Sequence, residues 1–286
     1  MDKERLEDLF DYMKNEYVLI KENPKIFDVL LAEYPLLANI KRKTVQVEER
    51  GENTLIKIKQ RLKAFFNWCV SEGYLIANPF GNIKIGCPVN GTPYYITIGE
   101  RNKIADFDLS AHPALEAQRD IFVFQCLIGC RVGDLLKFTN ANIVGGVLAY
   151  MPHKTLAKNG AVLKVPLHEK AVEILKKYYK EGDNAPILPF ISAQKYNNAI
   201  KEIFTICGIT RNVVVLNPKT REPQNVPINE VASSHLARRT FVGNLYKQVK
   251  DPNLIGKLSG HSEGSRAFSR YRDIDEEMKQ ELINLL

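Results

Sequence analysis

Residues 77–95, reading ANPFGNIKIGCPVNGTPYY, carry three prolines and three glycines. Proline lacks the backbone donor that a helix or strand interior needs, and glycine loses the most entropy on ordering, so no regular element is expected to run through this stretch. It reads as a linker that divides the 286 residues into a first part, 1–92, and a second, 93–286. With 45% hydrophobic residues, the chain can bury a sizeable core.

Ahead of the linker the pattern is helical. Leu6, Phe10 and Met13 share one stripe, and Ile26, Val29, Leu30 and Leu31 another. In TLIKIKQRLKAFFNWCVSEGYL, Leu55, Ile58, Leu62, Phe65, Phe66 and Cys69 recur at helical spacing. The same helix bears Lys57, Lys59, Arg61 and Lys63. Lys57 with Arg61, and Lys59 with Lys63, stand four apart and repel one another unless a counter-charge lies nearby. A phosphate backbone would supply it; a plain solvated face is the alternative.

Past the linker, helices are expected around IGERNKIADF and along ALEAQRDIFVFQCLIGCRVGDLLKF, the latter stopped at Gly129 and restarted near Val132. GGVLAYMPHK and GAVLKVPL are β-rich runs joined by the turn-forming AKNG, which predicts a hairpin from about 145 to 166. Helices follow at 169–180 and 192–207, then a looser hairpin over VVVLNPKTREPQNVPI. SSHLARRTFVGNLYKQV is a further helix, with Ser233 or Ser234 as its N-cap. The expected fold is mainly α with small β-hairpins, an α+β class, without internal repeats.

Forty Lys plus Arg against 33 Asp plus Glu give a formal charge of +7, which favours a polyanionic partner such as nucleic acid. The five cysteines (Cys69, Cys87, Cys126, Cys130, Cys207) are odd in number and lack metal-ligand spacing, which suits reduced thiols. No apolar run approaches the length of a membrane span, and MDKERLEDLF is charged and amphipathic, not signal-like. A soluble, cytoplasmic protein without membrane contact is expected.

Residues able to carry chemistry lie in the second part. His235 and Arg238, three apart, project from one face of their helix near its N-terminus. Arg131 ends a strongly apolar helix, where a guanidinium needs an anionic partner; Asp134, three residues on, would serve as a salt bridge or as a group orienting Arg131 toward a phosphate. Lys154 sits where the first hairpin strand ends, with Lys158 in the turn as its rival, and His153 reads as strand-end surface. In GHSEGSRAFSRY, residues 260–271, Phe268 is the expected anchor to the core and Tyr271 an exposed phenol that packing does not explain. Such a phenol is neutral at pH 7, so a nucleophilic role requires cations and a proton acceptor nearby.

Taken in order, Arg131, Lys154, the His235-x-x-Arg238 pair, Gly260-His261 and Tyr271 resemble the signature of the tyrosine recombinases, the phage-integrase-like family. SSHLARRTF is similar to integrases of bacterial conjugative and mobilisable elements, particularly those of Bacteroides-like hosts. The resemblance implies a helical, SAM-like core-binding domain followed by a catalytic domain, acting on double-stranded DNA without metal or other cofactor. It implies that Arg131 and Arg238 clamp the scissile phosphate and that Tyr271 attacks phosphorus to form a 3′-phosphotyrosyl bond. His235 would handle the phenolic proton, Lys154 would protonate the departing 5′-oxygen, and His261 would hydrogen-bond the phosphate. In RDIDEEMKQELINLL, Ile274, Met278, Leu282 and Leu285 or Leu286 share one stripe of a short terminal helix, which folds back on its own domain or, as the resemblance suggests, docks on a neighbouring protomer within a homo-tetramer on paired DNA sites. Accessory DNA-bending proteins and a nucleoid-associated location also belong to what the resemblance implies. Two features depart from its usual pattern: Tyr271 follows His261 by ten residues, and Arg239 stands where many relatives have a second histidine. An N-terminal arm-binding domain, common in integrases, has no counterpart ahead of the core-binding stretch, which leaves a trimmed chain and a compact arm-less type as alternatives. The rivals are type IB topoisomerase-like relaxation and a catalytically silent DNA-binding regulator.

Overall fold

The computed structural model describes residues 2–33, 48–153, 161–261, 268, 270, 271, 283 and 284. It divides into two compact units, one of residues 1–91 with 216–224, the other of 92–215 with 225–286. Among the described residues no helix is long and apolar enough to cross a membrane.

The first unit is helical: α1 (Lys3–Glu22), α2 (Pro24–Glu33) and α3 (Glu52–Ser71). Asp2 caps α1 by accepting from the Arg5 N–H at 2.9 Å. Leu6 and Phe10 of α1 are buried with Phe80, and Leu62 and Phe66 of α3 pack against them. Phe80 belongs to the stretch expected to be a linker, yet it is fully buried, its ring 5.7 Å from that of Phe10 and 6.1 Å from that of Phe66. Two packed helices leave an apolar seam between them, and the prolines and glycines let the chain fold Phe80 back to fill it. Asn53 then ties the later part of this stretch to α3, donating to the Val89 carbonyl at 2.6 Å and accepting from the Val89 N–H at 2.9 Å. The tip of the second hairpin, 216–224, also belongs to this unit, with Lys219 paired to Glu49 at 3.3 Å.

The second unit is organised round α5 (Pro113–Ile128), buried from Gln118 to Ile128, as its apolar sequence requires of a helix enclosed on all sides. Against it lie α4 (Ile98–Asp106), α7 (Glu169–Tyr178), α8 (Ala193–Ile206) and α10 (Ser234–Val249). Phe122 of α5 meets Phe204 of α8 edge to face at 5.4 Å. Short helices α6 (Val132–Leu135), α9 (Ile228–Val231) and α11 (Pro252–Ser259) complete the described helical part.

The expected first hairpin is a three-stranded antiparallel sheet, β1 (Ile143–Val144), β2 (Val147–Tyr150) and β3 (Leu163–Pro166). Tyr150 pairs with Leu163 and Val147 with Pro166, while β1, too short to show a period-2 pattern, pairs with β2 across Gly145 and Gly146. The AKNG turn lies outside the described residues. The looser hairpin forms from β4 (Asn212–Leu216) and β5 (Pro223–Pro227). The architecture is α+β.

Candidate active site

Arg131 is placed by the stop between α5 and α6. Gly129 ends α5 at φ +71°, and a β-carbon there would meet the Phe241 ring at 2.2 Å, so only glycine fits both the turn and the approach of α10. Buried Gln125 locks the turn: its amide donates to the Cys130 carbonyl at 3.1 Å, and its oxygen accepts from the Tyr196 hydroxyl at 3.0 Å. Arg131 therefore leaves a rigid corner.

Arg238 comes from the second turn of α10 and is 2% exposed. It donates through Nη1 to the Gly129 carbonyl at 2.6 Å, which joins the corner that carries Arg131 to the helix that carries His235. Burial and then repulsion from Arg131 lower its pKa to about 10, which still leaves it charged at neutral pH. Both arginines line a cavity of about 520 Å³ with Asp134, Lys137, His153 and His235. Among the described residues no carboxylate pairs with Arg131 or Arg238. A concave site holding unpaired guanidinium groups favours an anion.

Asp134 does not form the expected bridge to Arg131. Buried at 6% exposure, it accepts from the His153 N–H at 2.9 Å and so fixes the end of the strand segment that leads to Lys154. His153, read from the sequence as mere surface, lines the cavity. Lys137 also lines it and was missed; its i, i+3 spacing from Asp134 was the available signal. Lys154 and its rival Lys158 lie outside the described residues.

His235 sits at the start of α10. Solvent reaches its ring from the cavity, but desolvation by the wall behind it, followed by the charges of Arg239, Arg238, Arg131 and Arg270, lowers its pKa to about 4. At pH 7 it is a neutral imidazole, and an anion in the cavity that offsets the guanidinium charges would restore its basicity. Ser233 is the N-cap, though without a side-chain capping bond, and the Ser234 N–H is satisfied instead by Asn197 Oδ1 at 2.9 Å. Arg239 turns aside and stacks over Tyr94, its guanidinium carbon 4.8 Å from the ring centre.

His261 follows Gly260, which ends α11 at φ +68°. Arg238 Nη2 stands 3.4 Å from His261 Nδ1 and 3.3 Å from Nε2, and the His261 ring lies 5.7 Å from that of Phe268. Near-equal distances put the guanidinium over the ring, not in line with one lone pair. Desolvation, then Arg238, Arg131 and His235, lower the pKa of His261 to about 3.

Tyr271 differs from its expected exposure: it is 6% exposed and packs with Phe268, Phe241, Val242 and Ile255. Phe268 is the anchor that the sequence suggested, and it draws the phenol in with it, the two rings 5.9 Å apart. Tyr271 does not line the cavity but lies against the α10 helix that builds it. Burial raises its pKa, and Arg239, Arg238 and Arg270 oppose that rise. The terminal stretch holding Ile274, Met278 and Leu282 lies outside the described residues.

Among the four α3 cations, Lys57 and Arg61 are exposed, whereas Lys59 and Lys63 are partly buried, and Lys59 Nζ sits 4.5 Å over the Phe10 ring. Phe65, expected in the core stripe, falls at its edge and is 52% exposed beside Trp68, the rings 6.0 Å apart.

The second unit is thus an α+β domain whose central helix stop and flanking helix build one anion-receiving pocket beside a buried tyrosine. The chain belongs to the phage integrase family, whose family model matches residues 96–278. It is similar to tyrosine recombinase XerC of Proteus mirabilis, with 23% identity over 208 residues covering 70% of this chain and 62% of that protein, so the match spans less than two thirds of that relative. Its fold is similar to that of a lambda integrase dimer bound to a COC' core site, with a TM-score of 0.56 and 20% identity over 79% of this chain and 75% of that one. It is also similar to XerH site-specific recombinase in a post-cleavage complex with palindromic difH, with a TM-score of 0.57 and 16% identity over 82% and 67% of the two chains.

Proposed function

We propose that this chain is a site-specific DNA recombinase that cleaves and rejoins strands through a 3′-phosphotyrosyl intermediate, integrating or excising a mobile element. The observation that carries the reading is the convergence of Arg131 and Arg238, neither paired with a described carboxylate, in one cavity beside the helix against which Tyr271 packs. Arg131 and Arg238 bind the non-bridging oxygens of the scissile phosphate and offset the charge that grows as phosphorus is attacked. Tyr271 Oη forms the new bond to phosphorus as the bond to the 5′-oxygen breaks. His235, neutral at pH 7, accepts the phenolic proton, and Lys154 donates one to the leaving 5′-oxygen. A 5′-hydroxyl from a second strand reverses the step, and the ester conserves the bond energy.

For the phenol to reach the phosphate it must leave the apolar cluster around Phe268, so a productive complex requires the Tyr271 segment to shift. A lambda integrase of similar fold is described as a dimer bound to a core site, which supports assembly of more than one subunit on DNA; a homo-tetramer on paired sites, docking through the C-terminal stripe and accessory DNA-bending proteins are further parts of the same proposal. Action on DNA and a +7 formal charge suit a cytoplasmic, nucleoid-associated location.

The test is covalent capture. A nicked duplex recovered from a random-sequence pool by adduct formation should yield a protein–DNA band on a denaturing gel, and Tyr271→Phe should abolish it. An adduct that survives Tyr271→Phe overturns the nucleophile assignment, and relaxation of a plasmid lacking the captured site favours a topoisomerase.

A further inference from the structure

We infer that Lys137 binds the phosphate next to the scissile one on the same DNA strand, so that the cavity grips two successive phosphates. The inference rests on the recombinase reading and adds a substrate contact to it. Its ground is the way the turn after α5 divides its residues. Leu135 and Phe138, three apart, are 0% and 3% exposed and belong to the core. Arg131, Asp134 and Lys137, also three apart in succession, share the other side and line the cavity. The Asp134 N–H donates to the Arg131 carbonyl and the Lys137 N–H to the Asp134 carbonyl, both at 3.0 Å, which holds this register as far as Lys137.

Charge decides what Lys137 meets there. The carboxylate nearest to it in sequence, Asp134, is buried and engaged by the His153 N–H at 2.9 Å. Among the described residues no carboxylate pairs with Lys137. The guanidinium groups of Arg131 and Arg238, less the Asp134 carboxylate, leave one positive charge to match the one negative charge of a phosphodiester. Lys137 is the charge left over, and without a further anion it only adds repulsion to a pocket that already holds two cations.

Room is not limiting. A phosphate group displaces only a few waters, at roughly 30 Å³ each, whereas the cavity holds about 520 Å³. Six residues separate Arg131 from Lys137, about 9 to 12 Å along a helical path, so the two cations leave the turn at separate points with Asp134 between them. The next phosphate of a continuous strand is the anion that the substrate itself brings to the second point.

The test uses the full chain and the captured duplex, with a neutral methylphosphonate placed at one flanking linkage at a time. Lys137 is exposed, so Lys137→Gln should keep the urea midpoint of the unaltered protein. In salt titrations of duplex binding it should lower the slope of log affinity against log salt by about one, and Lys137→Arg should restore the slope. At saturating DNA its adduct rate should stay within about threefold of the unaltered rate, because the scissile phosphate keeps both arginines. One methylphosphonate beside the scissile phosphate should weaken binding of the unaltered protein by about fivefold more than it weakens binding of Lys137→Gln. An unchanged salt slope in Lys137→Gln overturns the contact, and a normal adduct beside it leaves the recombinase reading standing. Equal losses in both proteins from every flanking methylphosphonate overturn the assignment to a neighbouring phosphate. A fall of more than about tenfold in the adduct rate at saturating DNA puts Lys137 on the scissile phosphate and overturns that assignment too. If the unaltered chain forms no adduct with any duplex, the recombinase reading fails and the assignment to a neighbouring phosphate fails with it.

Discussion

The two units place their cations in opposite ways. On α3, Lys57 and Arg61 stand one turn apart on an exposed face, continued by the exposed rings of Phe65 and Trp68. In the second unit, Arg238 is buried and fastened to the Gly129 carbonyl, and Arg131 issues from a corner locked by Gln125. A solvated lysine costs little to maintain and attracts a polyanion through field alone, without geometry. A buried guanidinium costs desolvation, visible in the lowered pKa of Arg238, and in return its donors point where charge must be met. The first arrangement suits holding a phosphate backbone, the second suits acting on one phosphate.

That contrast breaks most sharply at Arg238. Arg238→Ala should lower the rate of phosphotyrosyl adduct formation by about a thousandfold, the scale of losing a preorganised charge donor, while equilibrium binding to duplex DNA changes by less than about tenfold. Single-turnover capture alongside a filter-binding titration would check both. Equal losses in the two measurements would mean that Arg238 is an ordinary DNA contact and that the units do not differ.

Gly129 tests whether the pocket's rigidity matters. Alanine there meets the Phe241 ring at 2.2 Å and must also adopt φ +71°. Overpacking and left-handed strain together should cost about 2–4 kcal/mol, read as a lower urea midpoint for the second unit. Adduct formation should fall even under conditions where the variant stays folded, because the carbonyl that holds Arg238 moves with the turn.

Much of this pocket was legible in the sequence. An arginine ending an apolar helix and His-x-x-Arg at a helix start are local patterns, and their order along the chain, with the glycine-histidine and the late tyrosine, is what resembles a known family. What was not legible depended on distant partners. Asp134 was expected to bind its near neighbour Arg131, but the His153 N–H, 19 residues away, is in place to claim it. Tyr271 was expected to be exposed because its flanking residues are polar, whereas Phe268 draws it into a cluster supplied by α10 and α11. Phe80 was assigned to a linker since its neighbours are turn formers, and only the apolar seam between α1 and α3 explains its burial.

The smallest expected effect separates the α3 cations from one another. If the exposed face is the one that meets DNA, neutralising Lys57 and Arg61 together as glutamines should reduce the slope of log affinity against log salt by about two. The same change at Lys59 and Lys63 should reduce it by less than about one, and Lys59→Gln should instead weaken the first unit slightly by removing a cation from above the Phe10 ring. Neither pair should alter the adduct rate at saturating DNA, since neither helps to build the cavity. Equal slopes for the two pairs would mean that charge count, and not the face on which it is carried, governs how this helix meets its partner.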